Sequence, residues 1–261
     1  MPSFGAHVDP ADPLAAAQEI GAEIIQVNIG DPQSWKAPAP RFPWDLEEFG
    51  ARAAEAGIGI YVHSPFVINV ASTNNRIRIP SRKLLQQHLD AAARLGAWGV
   101  IVHGGHVTAN DPMEAGFENW FKAVDGLRIE VPLLIENTAG GNHAMARRWE
   151  NLARLWQAIS TSNNAKRVGF CLDTCHAHAS GNPLQGLVDD VLAITGRIDL
   201  VHLNDSRDAE GSGADRHANL GKGQADPDWL VEVMRQTKAP AILETPSEGH
   251  ADDLEWIRSR V

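Results

Sequence analysis

Eight short apolar runs recur along this chain, separated by segments of helical character. The runs occupy residues 4–8, 24–29, 58–62, 100–102, 133–135, 168–172, 200–201 and 241–243. The clearest helical segments are 81–95 and 147–159. Short buried strands that alternate with helices are typical of a parallel sheet, and a chain of 261 residues is close to the length of about 250 that is typical of a (β/α)8 barrel. We therefore predict an α/β fold, a single TIM-barrel domain over residues 1–261.

Most of these runs end in a histidine or a carboxylate. The stretch 169–181, GFCLDTCHAHASG, places Asp173 and His176 three residues apart where one run ends. A single pair of this kind would more often be an ordinary helix cap. Five other runs, however, end in the same way, at His63, His103, Glu136, His202 and Glu244. Because the carboxyl ends of the strands carry the chemistry of such barrels, these residues are candidate metal ligands.

Two other parts of the chain are harder to interpret. The second run, 24–29, has no ligand type at its end, while His7 ends the first run. We predict that His7 orients a ligand and does not bind metal itself. Asp215 and His217 lie two residues apart in the Gly-rich loop 211–223, so in an extended segment they would face one side. A solvated surface loop would explain that pair alone, but with His176 it would complete a metal centre.

The composition favours a cytoplasmic protein. Only two cysteines occur, Cys171 and Cys175, which suits a reducing compartment. The amino terminus, MPSFGAHVDP, has no basic region followed by an apolar stretch, and nowhere do about 18 apolar residues run together. We expect no membrane partner, and we expect a monomer.

The formal net charge of −10 argues at first against a nucleic-acid partner, because non-specific affinity for DNA comes mainly from lysine and arginine. Three divalent metal ions would, however, offset six of those negative charges and leave the site itself positive. A local positive region can coexist with an acidic exterior. The total charge therefore does not exclude DNA.

Seven motifs, in their order along the chain, resemble those of the endonuclease IV family of apurinic/apyrimidinic (AP) endonucleases: HSPFVIN, VHGGH, IENTAGG, GFCLDTCHAHASG, HLNDS, DRHANLGKG and ILETP. The resemblance covers nearly the whole chain. It implies a barrel with three metal ions at its mouth, usually zinc, with Mn²⁺ or Fe²⁺ as alternatives. It further implies three ligand groups: His63, His103 and Glu136; Glu136, Asp173, His202 and Glu244; and His176, Asp215 and His217.

The resemblance also implies a reaction. Members of the family hydrolyse the phosphodiester 5′ to an abasic site in duplex DNA, leaving a 3′-hydroxyl and a 5′-deoxyribose phosphate, and they trim blocked 3′ ends. We therefore expect a hydrolase of the deoxyribonuclease IV type that acts in base excision repair. Glu244 would orient or deprotonate the attacking water, and Glu136 would bridge two metal ions. These two are the expected catalytic residues.

Four residues are predicted to contact DNA, and two of them depart from the family pattern. Gln33 stands where the best-known members have an arginine that acts as a DNA wedge, and Phe66 stands where they have a tyrosine. Trp35, in the Pro-rich loop 30–41, either stacks on a base or packs the loop onto the barrel. Arg216 is the fourth. We expect retained chemistry with altered duplex affinity or damage preference.

Two other functions fit part of the pattern. Sugar isomerases and epimerases that resemble xylose isomerase hold a metal ion with a Glu, Asp, His, Glu set, which Glu136, Asp173, His202 and Glu244 would reproduce. The other five candidate ligands discriminate, because an isomerase centre has no use for a three-metal cluster. The second alternative is a protein that binds abasic DNA without cutting it, and nothing in the sequence favours that function.

Overall fold

Eight parallel strands close into a barrel in the structure, a computed structural model that describes residues 2–261. The strands of this region are β1 (Phe4–His7), β2 (Ile24–Val27), β3 (Gly59–His63), β4 (Gly99–His103), β5 (Leu133–Glu136), β6 (Val168–Asp173), β7 (Leu200–His202), β8 (Asp205–Ser206), β9 (His217–Ala218) and β10 (Ala241–Leu243). Around the barrel the order is β1, β10, β7, β6, β5, β4, β3 and β2, and β2 pairs again with β1. Strands β8 and β9 form a separate antiparallel pair. The predicted α/β TIM-barrel fold is confirmed.

Helices follow the barrel strands and pack around the outside of the barrel. They are α1 (Pro13–Ile20), α2 (Leu46–Glu55), α3 (Asn75–Leu95), α4 (Met113–Gly126), α5 (Trp149–Ile159), α6 (Thr174–Ser180), α7 (Leu187–Thr195), α8 (Pro227–Thr237) and α9 (His250–Arg258), with 3₁₀ turns at Ala165–Arg167 and Ser247–Gly249. Polar side chains fix several helix starts; Asp45, for example, accepts the N–H of Glu48 at 2.8 Å. Across residues 2–261, no helix is long and apolar enough to cross a membrane.

One helix begins earlier than the sequence suggested. The segment predicted as 81–95 is only the later part of α3, which starts at Asn75 and contains Pro80. Proline is usually excluded from helix interiors because it lacks the N–H that bonds to the carbonyl four residues before it. In α3 the Asn74 side chain accepts the N–H of Arg76 at 2.9 Å, and this cap sets the start ahead of the proline. The other predicted helix, 147–159, corresponds to α5.

The barrel interior is filled by a small apolar cluster that is separate from the larger core between strands and helices. It takes one side chain from each of seven strands: Ile24, Tyr61, Ile101, Leu134, Cys171, Leu200 and Ile242. In β1, Gly5 occupies the corresponding position, because a Cβ there would lie 1.6 Å from the Ile24 carbonyl oxygen. Side chains alternate between the two faces of a strand, so residues two positions further along also face the interior.

Those next interior positions are polar on all eight strands. We define this strand-end set as His7, Gln26, His63, His103, Glu136, Asp173, His202 and Glu244. Because the spacing of two residues is repeated around a closed barrel, the set forms a polar layer above the apolar cluster. The second run, predicted to have no ligand type at its end, contributes Gln26 from inside the run, a residue that the sequence analysis did not single out.

Candidate metal centre

The strand-end set lies at the base of an open cavity of about 610 Å³ at the end of the barrel where parallel α/β barrels place their chemistry. Loops that follow the strands form its walls, and its lining includes His7, His63, Phe66, His103, Asp215, His217 and Glu244. The structure brings all nine predicted metal ligands into groups whose donor atoms lie within 4.8 Å of one another. Three of these groups are the ones that the sequence resemblance implied, and a fourth, Asp173, Cys175 and His217, was not predicted.

Glu136 is the centre of the first group, fully buried, with its two oxygens facing different partners. Oε2 lies 3.2 Å from Nε2 of His63 and 3.3 Å from Nε2 of His103. Oε1 lies 3.0 Å from Nδ1 of His202 and 3.3 Å from Nδ1 of His176. A carboxylate in this arrangement can serve two neighbouring cations, one through each oxygen.

The second group shares Glu136 and adds Asp173, His202 and Glu244. Nδ1 of His202 lies 3.2 Å from Glu244 Oε2 and 3.9 Å from Asp173 Oδ2. Asn204, just after β7, donates its amide to Asp173 Oδ2 at 2.7 Å and accepts the Glu244 N–H at 2.8 Å. The first bond fixes the Asp173 carboxylate and the second fixes the Glu244 backbone, so both side chains are directed towards one imidazole nitrogen.

The third group joins His176, in the first turn of α6, to Asp215 and His217 from the loop and strand that follow β8. Nε2 of each imidazole lies 3.1 Å from the same oxygen, Oδ1 of Asp215. The Asp215 side chain is 54% exposed, whereas that of His176 is 3% exposed. This group therefore lies on the solvent side of the other two.

A buried carboxylate anchors the loop of the third group. Asp205, in β8, accepts backbone N–H groups from Ser206 at 2.7 Å, Gly223 at 2.8 Å and Ala225 at 3.0 Å. Position 223 requires glycine, because a Cβ there would lie 2.4 Å from Asp205 Oδ1 and 2.3 Å from the Ser206 carbonyl oxygen. The loop ends are thus held to β8, so Asp215 and His217 are presented to His176.

Four of the five imidazoles have their tautomer fixed by a hydrogen bond from one ring nitrogen to a carbonyl or amide oxygen. The donor and acceptor pairs are His63 Nδ1 to Ser64 O at 2.8 Å, His176 Nδ1 to Asn137 O at 2.9 Å, His217 Nδ1 to Glu244 O at 3.1 Å and His202 Nε2 to Gln26 Oε1 at 2.8 Å. Oxygens of this kind only accept, so these nitrogens carry the proton. When the ring is neutral, its other nitrogen therefore carries the lone pair that a metal ion can use.

The free lone pairs fit a divalent cation. Nε2 of His176 and Nε2 of His217 are buried without a hydrogen bond, although both approach one Asp215 oxygen. Acceptors that face one another repel unless a cation lies between them. Imidazole and carboxylate donors suit zinc, manganese and iron, and a partner on the second ring nitrogen is the usual arrangement of a metal-binding histidine.

Burial and charge act in opposite directions on the pKa values of the site. Burial disfavours the charged form of His217, yet the Asp215 carboxylate 3.1 Å away and the other nearby carboxylates raise its pKa to about 9. Burial likewise opposes ionisation of Glu244, but the imidazoles, led by His202, hold its pKa at about 2. Neighbouring acidic groups also raise the pKa of His176 well above its ordinary value, against the effect of burial. In the absence of metal, His176 and His217 therefore hold a second proton, with which a metal ion must compete.

Sequence reasoning missed the amides that support the ligands. Gln26 bonds to His202, Glu244 and His7. Asn137 exchanges two hydrogen bonds with the Asp173 backbone, at 2.8 and 2.9 Å, and Asn204 holds two carboxylates as described above. His7 hydrogen-bonds to Gln26 at 3.1 Å, and burial lowers the pKa of His7 to about 4. Asn137 and Asn204 lie within the motifs IENTAGG and HLNDS, whereas Gln26 lies in none of the seven motifs. A search restricted to His, Cys, Asp and Glu passes over all three.

Of the four predicted DNA contacts, Phe66 lines the cavity. Phe66 is 55% exposed and its ring lies over His103, with centroids 5.8 Å apart and an interplanar angle of 24°. Its N–H donates to the Pro32 carbonyl at 2.8 Å, which places it beside the loop of Gln33. Trp35, in the same loop, is 47% exposed. Arg216 is also exposed, but its guanidinium pairs with Asp208 at 2.8 Å.

Comparisons with known proteins agree with this geometry. The family model described as "Xylose isomerase-like TIM barrel" matches residues 14–260. A probable endonuclease 4 of Mycobacterium ulcerans (strain Agy99) is 56% identical over 258 residues, which cover 99% of this chain and 98% of that protein. The crystal structure of endonuclease IV from Thermus thermophilus superposes with a TM-score of 0.82, over 99% of this chain and 98% of that one. The two sequences are 31% identical.

A D-tagatose 3-epimerase-like protein also matches, with 18% identity, a TM-score of 0.79 and coverage of 99% of this chain and 96% of that one. At that level of identity the likeness shows the fold alone. The relatives that match at 31% and 56% identity across almost the full chain are endonucleases by name. The chain belongs to the endonuclease IV family.

Proposed function

We propose that this chain is a metal-dependent AP endonuclease of base excision repair. It would hydrolyse the phosphodiester 5′ to an abasic site in duplex DNA and leave a 3′-hydroxyl and a 5′-deoxyribose phosphate. The same attack on a phosphate beside a strand break would trim blocked 3′ ends. The observation that carries the proposal is the convergence of nine imidazole and carboxylate side chains in three groups, and family membership supports the choice of reaction.

Three divalent ions, zinc or alternatively Mn²⁺ or Fe²⁺, would occupy the three groups. The ligands would be His63, His103 and Glu136; Glu136, Asp173, His202 and Glu244; and His176, Asp215 and His217. Such ions, when bound, lower the pKa of a coordinated water towards neutrality and offset the charge that develops on a phosphate during displacement.

Glu244 is the residue that we propose to orient or deprotonate the attacking water. It lines the cavity and its side chain is 18% exposed. Because its pKa is about 2, it is a carboxylate at neutral pH and can accept a hydrogen bond from water. Gln26 Nε2 donates to Glu244 Oε1 at 2.6 Å. This bond restrains one oxygen and thereby orients the other oxygen of the carboxylate.

Phe66 and Gln33 would contact the damaged duplex. The exposed ring of Phe66 on the cavity rim can stack on a base or enter the space of a missing one. An abasic nucleotide has no base pair to lose, so its displacement into the cavity costs less than that of an intact nucleotide. We propose that one monomer acts on one lesion.

The test is incision of an end-labelled duplex that contains one tetrahydrofuran abasic analogue, with metal content measured in the same enzyme preparation. We expect one cut 5′ to the lesion, a 3′-hydroxyl on the product, loss of incision with a chelator and recovery with zinc. Tight binding of the abasic duplex by fully metallated protein without incision would instead indicate a damage-binding protein.

Sugar isomerisation is the second candidate, because Glu136, Asp173, His202 and Glu244 by themselves form a four-donor group. That function needs one metal ion and leaves His176, Asp215 and His217 without a role. One metal ion per chain, no incision, and turnover of a ketose would favour it.

A further inference from the structure

Gln26 is a fully buried amide that none of the metal groups uses. It lies in β2, where the remaining residues, Ile24, Ile25 and Val27, are apolar. Its side chain faces the barrel interior as one of the strand-end set. A buried amide without hydrogen bonds would destabilise the fold, so the partners of Gln26 indicate why the barrel holds it there.

Three hydrogen bonds satisfy this amide. Its Oε1 accepts the Nε2–H of His202 at 2.8 Å. Its Nε2 donates to Glu244 Oε1 at 2.6 Å and to His7 Nδ1 at 3.1 Å. One side chain thus contacts a metal-binding candidate, the proposed base, and a third residue of the strand-end set.

The partners determine the orientation of the amide. With its oxygen and nitrogen exchanged, the amide oxygen would face both the Glu244 carboxylate and the lone pair of the neutral His7 ring. Its nitrogen would then face the N–H of His202. The orientation with Nε2 towards Glu244 is the one in which every contact pairs a donor with an acceptor.

We propose that Gln26 is a positioning residue that holds the His202 ring with Nδ1 facing the carboxylates, through the bond to Nε2, and that holds Glu244 with Oε2 towards the same point. This inference rests on the proposed metal-dependent function. The other three histidines with a fixed tautomer use backbone carbonyls for this purpose, which substitution cannot remove. His202 uses a side chain, so its support can be tested by mutation.

The test compares Gln26→Met, Gln26→Glu and a control, Ile25→Val, which lies on the opposite face of β2 and touches none of these groups. Methionine keeps the length of the side chain and removes all three hydrogen bonds. Glutamate keeps an acceptor for His202 but places a second carboxyl group where the amide donor lay 2.6 Å from Glu244. The two carboxyl groups would share a proton, which blocks Glu244 as a base. Zinc affinity is measured by titration against a chelator, and kcat and KM are measured with abasic duplex.

We expect Gln26→Met to lower the zinc affinity of the second group by about 10- to 100-fold, as is typical when the partner of a ligand histidine is lost. Its kcat should fall while KM for DNA stays near the wild-type value. Gln26→Glu should regain zinc affinity without regaining kcat, and Ile25→Val should match wild type in each measurement. This separation of zinc affinity from kcat is one that a purely structural role for Gln26 would not produce.

Wild-type zinc affinity and kcat in a folded Gln26→Met protein would overturn the inference. So would a Gln26→Glu protein that loses zinc as readily as Gln26→Met, and this variant decides the question if Gln26→Met does not fold. A wild-type protein that binds no zinc would overturn the proposed function and, with it, this inference. The two failures are therefore distinguishable.

Discussion

The strand-end set and the loop pair, defined as Asp215 and His217, reach the same cavity by different means. Each member of the strand-end set is placed by the register of a closed barrel, two residues beyond an apolar interior position. The loop pair is placed by a two-residue strand and by the backbone bonds that Asp205 accepts. Glu136 is fully buried, whereas Asp215 is 54% exposed.

This difference indicates that the site has a rigid part and an adjustable part. Ladder hydrogen bonds on both sides hold each barrel strand, so its side chains move only if the barrel opens. The loop pair moves if a surface loop opens, which costs much less free energy than opening the core. We therefore expect the metal ion of the third group to be the most readily exchanged.

The largest effect is expected from a change within the strand-end set. Glu244→Gln keeps the shape of the side chain but removes the carboxylate that would accept a proton from water. Turnover on abasic duplex should fall by about 10²- to 10⁴-fold, the range of a lost general base, with folding and DNA binding retained. Single-turnover incision and a binding titration check this, and activity within a few-fold of wild type would refute the role of Glu244.

A smaller and more selective effect is expected in the loop pair. Asp215→Asn removes the charge that both His176 and His217 face at 3.1 Å, so one metal ion should be lost while two remain. Metal analysis by native mass spectrometry checks the count. Asp228→Asn, an exposed acid in α8, is the matched control and should keep the full complement. Loss of all metal from Asp215→Asn would show that the two parts of the site are not independent.

Zinc binding by the loop pair and the stability of the metal-free fold should both change gradually with pH. The pKa of His217 is raised to about 9. Below that pH the imidazole is protonated, and it must lose a proton when metal binds. Zinc affinity of the third group should therefore increase from pH 6.5 towards pH 9 and then level off. In chelator-treated protein, the stability of the fold should change in the opposite direction with pH. The raised pKa of His217 stabilises the fold fully below pH 6.5, and this contribution is lost as the pH rises through about 9. Zinc titrations and thermal unfolding check the two trends, and pH-independent zinc binding would contradict them.

The smallest effects are expected on the rim. Gln33→Arg adds a positive charge and Phe66→Tyr adds a hydroxyl, so each should alter duplex affinity or damage preference and leave kcat near wild type. Because one more phosphate contact steepens the salt dependence of binding, the slope of log K against log salt should change by about 0.9 for Gln33→Arg. Binding titrations at several salt concentrations check this. Unchanged affinity and preference in both variants would show that these departures from the family pattern are neutral.

The regular part of the molecule was largely predictable from sequence. Apolar runs ending in His63, His103 and Glu136 predict strands whose last residues meet at one edge, because parallel strands share a carboxyl end. The closed barrel brings these residues together at one end, as expected, and their role as metal ligands stays a prediction. The repeated spacing of two residues from the apolar cluster could also have identified Gln26, but an amide is not a ligand type and the run continues past it.

The irregular parts were less predictable because they depend on contacts distant in sequence. Asp215 and His217 resemble a solvated loop until Asp205 and Gly223 are seen to hold the loop ends together. The early start of α3 depends on one asparagine cap ahead of Pro80. In both cases a single polar side chain overrides what local composition suggests.

The most direct test of a three-metal site with a rigid and an adjustable part is staged removal of metal from the wild-type protein. The number of ions per chain and the incision of abasic duplex are followed in the same samples. We predict three ions per chain, of which one leaves first, and that ion should be the one already missing from Asp215→Asn. Incision should decline in step with the losses and return with zinc. A single ion per chain, or full incision after all metal has been removed, would contradict this prediction.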